Sequence, residues 1–234
     1  MRTLPPVDPF QLRQNQLNLP KLSTGKKLAV FDLDETLVHC CNVAEDAHDF
    51  IVPIVFPNGE VHSAGINVRP FATECLKAAR DNFDVVVYTA SHQCYADAVL
   101  DRIDPDGQLI QHRLYRDNCL FINGVYIKDL RVFLQKDLKD IVIIDNAAYS
   151  FAYQIDNGVP IISWHDDYND KKLYNLIDYL DLLAGVRDVR EVNAATLQLQ
   201  TFYEDYMEEF CAPETKLVRS KSPEIINKLA KRKS

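Results

Sequence analysis

No apolar run in this 234-residue chain approaches the ~18 residues needed to cross a membrane, and its start, Met1-Arg2-Thr3-Leu4-Pro5-Pro6, lacks the apolar core of a signal peptide. The chain is therefore expected to be soluble and intracellular, with no membrane span. Its six cysteines, Cys40, Cys41, Cys75, Cys94, Cys119 and Cys211, include no Cys-x-x-Cys pair and no framework spacing, which points to reduced thiols rather than a disulfide scaffold. None has an arginine six positions later, so the phosphate loop of cysteine-dependent phosphatases is missing. His39-Cys40-Cys41 with His48 fits no usual zinc spacing. Basic charge is scarce over most of the length. Seven Lys or Arg and two Glu between 212 and 234 give that stretch +5, so of the net −8 the first 211 residues carry −13. A body this acidic offers little with which to displace phosphate counterions, so direct nucleic-acid binding is not expected. There is no internal repeat.

What is present is enough for one sizeable core, with 47% hydrophobic side chains. Leu28-Ala29-Val30-Phe31 has the length and side chains of a buried strand, yet it runs straight into two carboxylates, Asp32 and Asp34. Segments 49–56 and 60–68 flank Pro57-Asn58-Gly59, a hairpin signal. Residues 71–82 read as a helix with one buried face, and 84–88 as a second core strand ending in Thr89-Ala90-Ser91. A helix over 93–103 follows, then a second hairpin from 114–122 and 125–128 across Asn123-Gly124, delivering Lys128. Residues 141–144 form a third core strand, which again ends in a carboxylate at Asp145-Asn146, and 159–162 a fourth, put at an edge by Pro160. Amphipathic helices are expected over 173–183 and 194–210. This alternation predicts a mostly parallel sheet with right-handed crossovers. The C-terminal ends of its core strands share one edge, the usual ligand edge, which brings Asp32, Thr89 and Asp145 together. Residues 1–25, with four prolines and no clear period, are expected to form an irregular extension that packs little.

Asp32-Leu33-Asp34-Glu35-Thr36 resembles the first motif of the haloacid dehalogenase superfamily, Thr89 after 85–88 its second, Lys128 its third and Asp145-Asn146 its fourth. More narrowly, residues 31–39, Tyr88-Thr89-Ala90-Ser91, Tyr126-Ile127-Lys128-Asp129-Leu130 and Ile144-Asp145-Asn146 resemble the small carboxy-terminal-domain, FCP/SCP or NLI-interacting-factor-like phosphatases, over roughly residues 26–192. The resemblance implies an α/β, haloacid-dehalogenase-like (Rossmann-like) fold: a mostly parallel sheet flanked by helices, capless, with small β-hairpin insertions. The FCP1-homology-type domain would span 26–192, followed by a helix over 193–211 and a basic, disordered tail over 212–234. The implied activity is that of a Mg2+-dependent protein serine/threonine phosphatase acting on the RNA polymerase II C-terminal domain or another nuclear phosphoprotein, with a nuclear rather than cytoplasmic location. Asp32 would be the nucleophile that becomes an aspartyl-phosphate, Asp34 the general acid and base, and Thr36 a support for their loop. Thr89 and Lys128, beside Ala90 and Ser91, would hold the phosphoryl group, and Arg116 would contact the phosphopeptide. The implied Mg2+ ligands are Asp32, the Asp34 carbonyl and Asn146, with Asp145 close by.

The spacing bears on substrate size. The 52 residues between Thr36 and Thr89 and the 38 between Thr89 and Lys128 are each filled by a hairpin and a helix, leaving no room for a cap domain. An open site favours a phosphoprotein over a small metabolite. A module that binds phosphoprotein without turnover is the other reading, opposed by the intact set Asp32, Asp34, Thr89, Lys128 and Asp145. One departure concerns specificity. Relatives that act on the polymerase tail have an aromatic shortly after the His matching His39, whereas this chain reads His39-Cys40-Cys41-Asn42-Val43. The basic tail, ending Lys231-Arg232-Lys233-Ser234, reads equally as an import-receptor signal, a site for an anionic partner or a solvated end.

Overall fold

The computed structural model describes residues 4–17, 19, 22, 25–44 and 47–201. In chain order these form α1 (Pro9–Asn15), β1 (Lys27–Phe31), β2 (Val38–Cys41), β3 (Phe50–Val55), β4 (Val61–Val68), α2 (Ala72–Asn82), β5 (Phe83–Tyr88), α3 (Gln93–Ile103), β6 (His112–Leu114), β7 (Leu120–Ile122), β8 (Val125–Ile127), β9 (Ile141–Asp145), β10 (Gly158–Pro160), α4 (Lys172–Gly185) and α5 (Val189–Leu197). The central sheet has the order β10-β9-β1-β5-β6, with every pair parallel.

β1 occupies the middle because its side chains are apolar on both faces. Ala29 and Phe31 enter one core with Val85, Val87, Val142 and Ile144, while Leu28 and Val30 enter the other with Val86, Tyr88, Ile141 and Ile143. A strand buried on both faces reads as an unbroken apolar run, and β1 and β9 do. The first face is closed by helices: Cys75, Leu76 and Ala79 of α2, Val99, Leu100 and Ile103 of α3, and Leu173, Leu176, Leu180 and Leu183 of α4. Their i, i+3 and i+4 spacing makes each helix a one-sided wedge.

The second face is where the expectation for residues 1–25 fails. Pro9 to Asn15 form a short helix capped by the Asp8 side chain, and Leu17 N–H donates to the Val132 carbonyl at 2.8 Å. Leu17, Leu19 and Leu22, partly buried, pack against the second core. These leucines share that sheet face with the 3-10 turns at Leu130–Val132 and Ala148–Asn157. The hairpin expected from 114 onward is also smaller. Its first residue, Leu114, instead ends β6 in the central sheet, 116–118 form a 3-10 turn, and β7 and β8 make the hairpin. A three-residue, half-buried edge strand is too short to show a period.

The other insertion is the antiparallel sheet β2-β4-β3, joined through the Asn58-Gly59 turn, where Gly59 has φ 86°. No further domain interrupts the sheet among the described residues. α5 begins at Val189, across the expected boundary at 192, because buried Asn193 is tied to the Asp156 carbonyl at 2.9 Å and to the Tyr179 hydroxyl at 2.8 Å. The helix expected over 194–210 does not run through: α5 ends at Leu197, and Gln198 takes the left-handed conformation at φ 51°; residues beyond 201, with the basic tail, lie outside the described residues. No helix of the described chain is long and apolar enough to cross a membrane.

Candidate active site

β1, β5 and β9 are adjacent and parallel, so their C-terminal ends place Asp32, Thr89 and Asp145 at one edge, as the strand pattern predicts. Between them opens a cavity of about 330 Å3, lined by these three residues together with Asp34, Ala90, Ser91, Arg116, Lys128 and Asn146. The chain leaves β1 in a tight turn. Leu37 and Val38 N–H both donate to the Leu33 carbonyl, and Glu35 takes the left-handed conformation at φ 57°. That turn presents Asp32 and Asp34 to the same cavity. Buried Arg69 holds it from below: its guanidinium pairs with both carboxylate oxygens of Asp170 at 3.0 and 3.2 Å and donates to the Thr36 carbonyl at 3.3 Å.

Lys128 is the electrostatic centre. Its ammonium, 2% exposed, donates to Asp32 Oδ1 at 2.5 Å and to Asp145 Oδ2 at 2.6 Å. Burial disfavours its charge, but Asp145 and Asp32 outweigh that and raise its pKa above the ordinary lysine value, so it stays protonated. Two carboxylates then compete for one cation. Burial, opposed by Lys128 and reinforced by Asp145 and Asp34, pushes Asp32 up to about 7. Asp145 is fixed by the Ser150 hydroxyl at 2.6 Å and the Ala147 N–H at 2.7 Å.

Asp34 has different company. Ser91 Oγ donates to its Oδ2 and Tyr95 Oη to its Oδ1, both at 2.6 Å. Burial and the adjacent Asp34 raise the Tyr95 pKa, so the phenol remains a donor. The Thr89 hydroxyl accepts the Ser91 N–H at 3.0 Å. Beneath it the Cys119 thiol contacts the Thr89 carbonyl at 3.7 Å, and burial pushes its pKa up to about 11, making it a poor nucleophile.

Nine of the ten sequence-derived site residues line this cavity. Thr36 does not: it is fully buried, and its hydroxyl donates to Asp32 Oδ2 at 3.1 Å, so it orients Asp32 from behind. Arg116 is at the rim, where Nε donates to the Ala90 carbonyl at 2.6 Å and the guanidinium lies over the Tyr126 ring at 5.0 Å. Ser91 faces Asp34 rather than open space. Sequence reading missed Tyr95, Ser150 and Arg69. Only Arg69, an arginine at a strand end just before Pro70, offered a local signal. Apart from the Lys128 ammonium, the polar atoms beside Asp32 are oxygen: the Thr36 hydroxyl reaches the Asn146 Oδ1 at 3.4 Å, while the Asn146 amide donates to Ser163 Oγ at 3.0 Å, leaving its carbonyl oxygen on the Asp32 side.

The family model described as NLI interacting factor-like phosphatase matches residues 27–190. Curated relatives include "CTD small phosphatase-like protein 2" of Dictyostelium discoideum, 44% identical over 188 residues, which cover 80% of this chain and 31% of that protein. "CTD small phosphatase-like protein 3" of Caenorhabditis elegans is 38% identical, covering 82% of this chain and 67% of that one. The human "Carboxy-terminal domain RNA polymerase II polypeptide A small phosphatase 2" is 41% identical, covering 70% and 60%. This chain thus spans from 31% to 67% of the length of these relatives. Among solved structures, the fission yeast RNA polymerase II CTD phosphatase Fcp1 bound to beryllium fluoride superimposes with TM-score 0.50 at 20% identity, covering 95% of this chain and 64% of that one, which shows a shared fold. A family match over residues 27–190, with all four motifs meeting at one cavity, has a single consequence: this chain belongs to the NLI interacting factor-like phosphatase family, with the haloacid-dehalogenase-like α/β fold.

Proposed function

We propose that the chain is a metal-dependent protein phosphatase that removes phosphate from serine and threonine side chains through an aspartyl-phosphate at Asp32. The observation that carries this reading is the pairing of two carboxylates two residues apart, in opposite surroundings, in one open cavity. Asp32 is held by Lys128 and Thr36, and Asp34 by two neutral hydroxyl donors. An oxygen of Asp32 attacks phosphorus in line with the ester bond. As the bond to the serine oxygen breaks, Asp34 delivers a proton to that oxygen. Water then attacks the acyl phosphate, Asp34 takes the water proton, and phosphate leaves with Asp32 restored. The Lys128 charge and the Thr89 hydroxyl offset charge on the phosphoryl oxygens.

Mg2+ fits the all-oxygen donor set of Asp32, the Asp34 carbonyl and Asn146, with Asp145 beside it, and when bound it supplies positive charge that favours ionised Asp32 and offsets that of the phosphate. The wide, capless opening supports a protein substrate, and the name of the human relative supports the RNA polymerase II C-terminal domain as one candidate, another nuclear phosphoprotein being the alternative. The run His39-Cys40-Cys41-Asn42-Val43, without the aromatic that family members acting on the tail carry shortly after the matching His, argues for testing the tail against other phosphopeptides. The test is a comparison of kcat/KM for phosphoserine peptides and for small phosphate esters. Preference for peptides by at least tenfold is expected, and equal or better turnover of small metabolites contradicts the substrate class.

A further inference from the structure

Three side chains of metal-ligand type, none of them among the candidate reaction residues, meet where the turn after β1 touches the segment after β10. Glu35 and His39 lie four residues apart, with Glu35 Oε1 3.1 Å from His39 Nδ1. The exposed His165 ring packs edge-on against His39, with centroids 4.7 Å apart and planes at 88°. One ligand atom from each of the three lies within 4.8 Å of the other two. The backbone enforces this meeting. Trp164 N–H, next to His165, donates to the Glu35 carbonyl at 2.9 Å, and Arg69 spans the same two segments from Asp170 to Thr36. Beside the trio is a cavity of about 240 Å3, lined by His39, Cys41, Asn67, His165, Asp166 and Tyr168.

We infer that Glu35, His39 and His165 form a second divalent-cation site, for zinc or a first-row ion of like coordination, with water in the remaining position. Two imidazoles and one carboxylate make a zinc set of the kind that keeps one position open. Mg2+ prefers oxygen ligands and a near-octahedral shell, so the two sites are chemically separate. Zinc bonds of roughly 2.0–2.2 Å place tetrahedral ligand atoms roughly 3.4 Å apart. Glu35 and His39 already satisfy that, and the exposed His165 imidazole closes the rest by a side-chain adjustment of about 1 Å. The consequence is local and functional. Glu35 also lines the reaction cavity and follows Asp34 directly, so an ion here ties the turn that carries Asp34 to the 163–170 segment. The inference stands independently of the phosphatase reading, because its readout is metal binding.

The test titrates Zn2+ by calorimetry, and Co2+ by its visible absorption, into the full chain held in saturating Mg2+. Wild type is expected to bind one equivalent, to show the absorption of tetrahedral Co2+, and to unfold at higher temperature with zinc. His165→Phe keeps a ring against His39 and is expected to weaken zinc binding at least about tenfold, with unchanged unfolding in chelator and unchanged zinc-free phosphate release. If that variant does not fold, His165→Gln serves in its place. Absence of zinc binding in the presence of Mg2+ overturns the site, leaving Glu35–His39 an ion pair only. Binding that survives both His165 variants but disappears in Cys41→Ser also overturns it, in favour of a thiol site.

Discussion

On the proposed mechanism the chemistry depends on Asp32, and its surroundings make a prediction about pH. Its folded pKa, about 7, exceeds the ordinary 3.8, so the metal-free folded state holds this proton more tightly than the unfolded chain does. Stability from this group is therefore fully present below about pH 4 and is lost as pH rises toward 7. Asp32→Asn removes the loss: the metal-free variant should be more stable than wild type above pH 7, by a few kcal/mol, with the gap closing near pH 4 in urea unfolding. The same proton competes with metal. Mg2+ affinity should fall as pH drops below about 7, with proton release on binding visible by calorimetry in buffers of different ionisation enthalpy. Tyr95→Phe deletes one of two donors to Asp34 and should lower kcat by about 5–30-fold with little change in KM. Asp32 and Asp34 were legible in the sequence because charge directly after a buried strand breaks its pattern. Tyr95 was not, since a tyrosine on the inward face of α3 looks like ordinary packing.

At the scale of elements, the site depends on a turn and a clamp. Arg69, 1% exposed, joins the 33–38 turn to Asp170, and Arg69→Ala leaves Asp170 unpaired and the Thr36 carbonyl without its donor. Arg69 is buried but Asp170 only partly so, and losing these charged hydrogen bonds should cost about 1.5–3 kcal/mol in urea unfolding. Arg69→Lys should restore little, because one ammonium cannot replace a planar fork facing two acceptors. Gly158 at the start of β10 is fixed by packing: a Cβ there would overlap the ring of Phe151, which is fully buried. Gly158→Ala should therefore destabilise by about 1–3 kcal/mol in the same assay. Sequence reading found α2, α3, α4 and the three central strands because length and period are strongest there, whereas α1 lies in a stretch expected to be irregular and α5 covers Val189–Leu197 rather than 194–210. α3 matches its expected span of 93–103, and the core strands ending in Asp32, Thr89 and Asp145 are where they were expected. It missed β6 and the packing of Leu17, Leu19 and Leu22, because a three-residue edge and an aperiodic strip become structure only against a sheet face already formed.

For the whole molecule, the decisive feature is what the insertions do not do. The β2-β4-β3 sheet and the β7-β8 hairpin leave the cavity at the C-terminal edge of the central sheet open, which suits a phosphorylated side chain on a protein surface. Lys128 supplies the charge inside an otherwise acidic molecule of net −8. Removing it leaves Asp32 and Asp145 buried face to face, so Lys128→Ala should cost about 3–5 kcal/mol in urea unfolding at pH 8 as well as abolishing turnover. The most direct test of the account is phosphate release from a panel of phosphoserine and phosphothreonine peptides, with Mg2+ or with chelator, by wild type and Asp32→Asn. The account predicts release that requires the metal and falls at least ~10³-fold in the variant. Release that persists in Asp32→Asn or in chelator, or wild type that binds phosphopeptide without turnover, would contradict it.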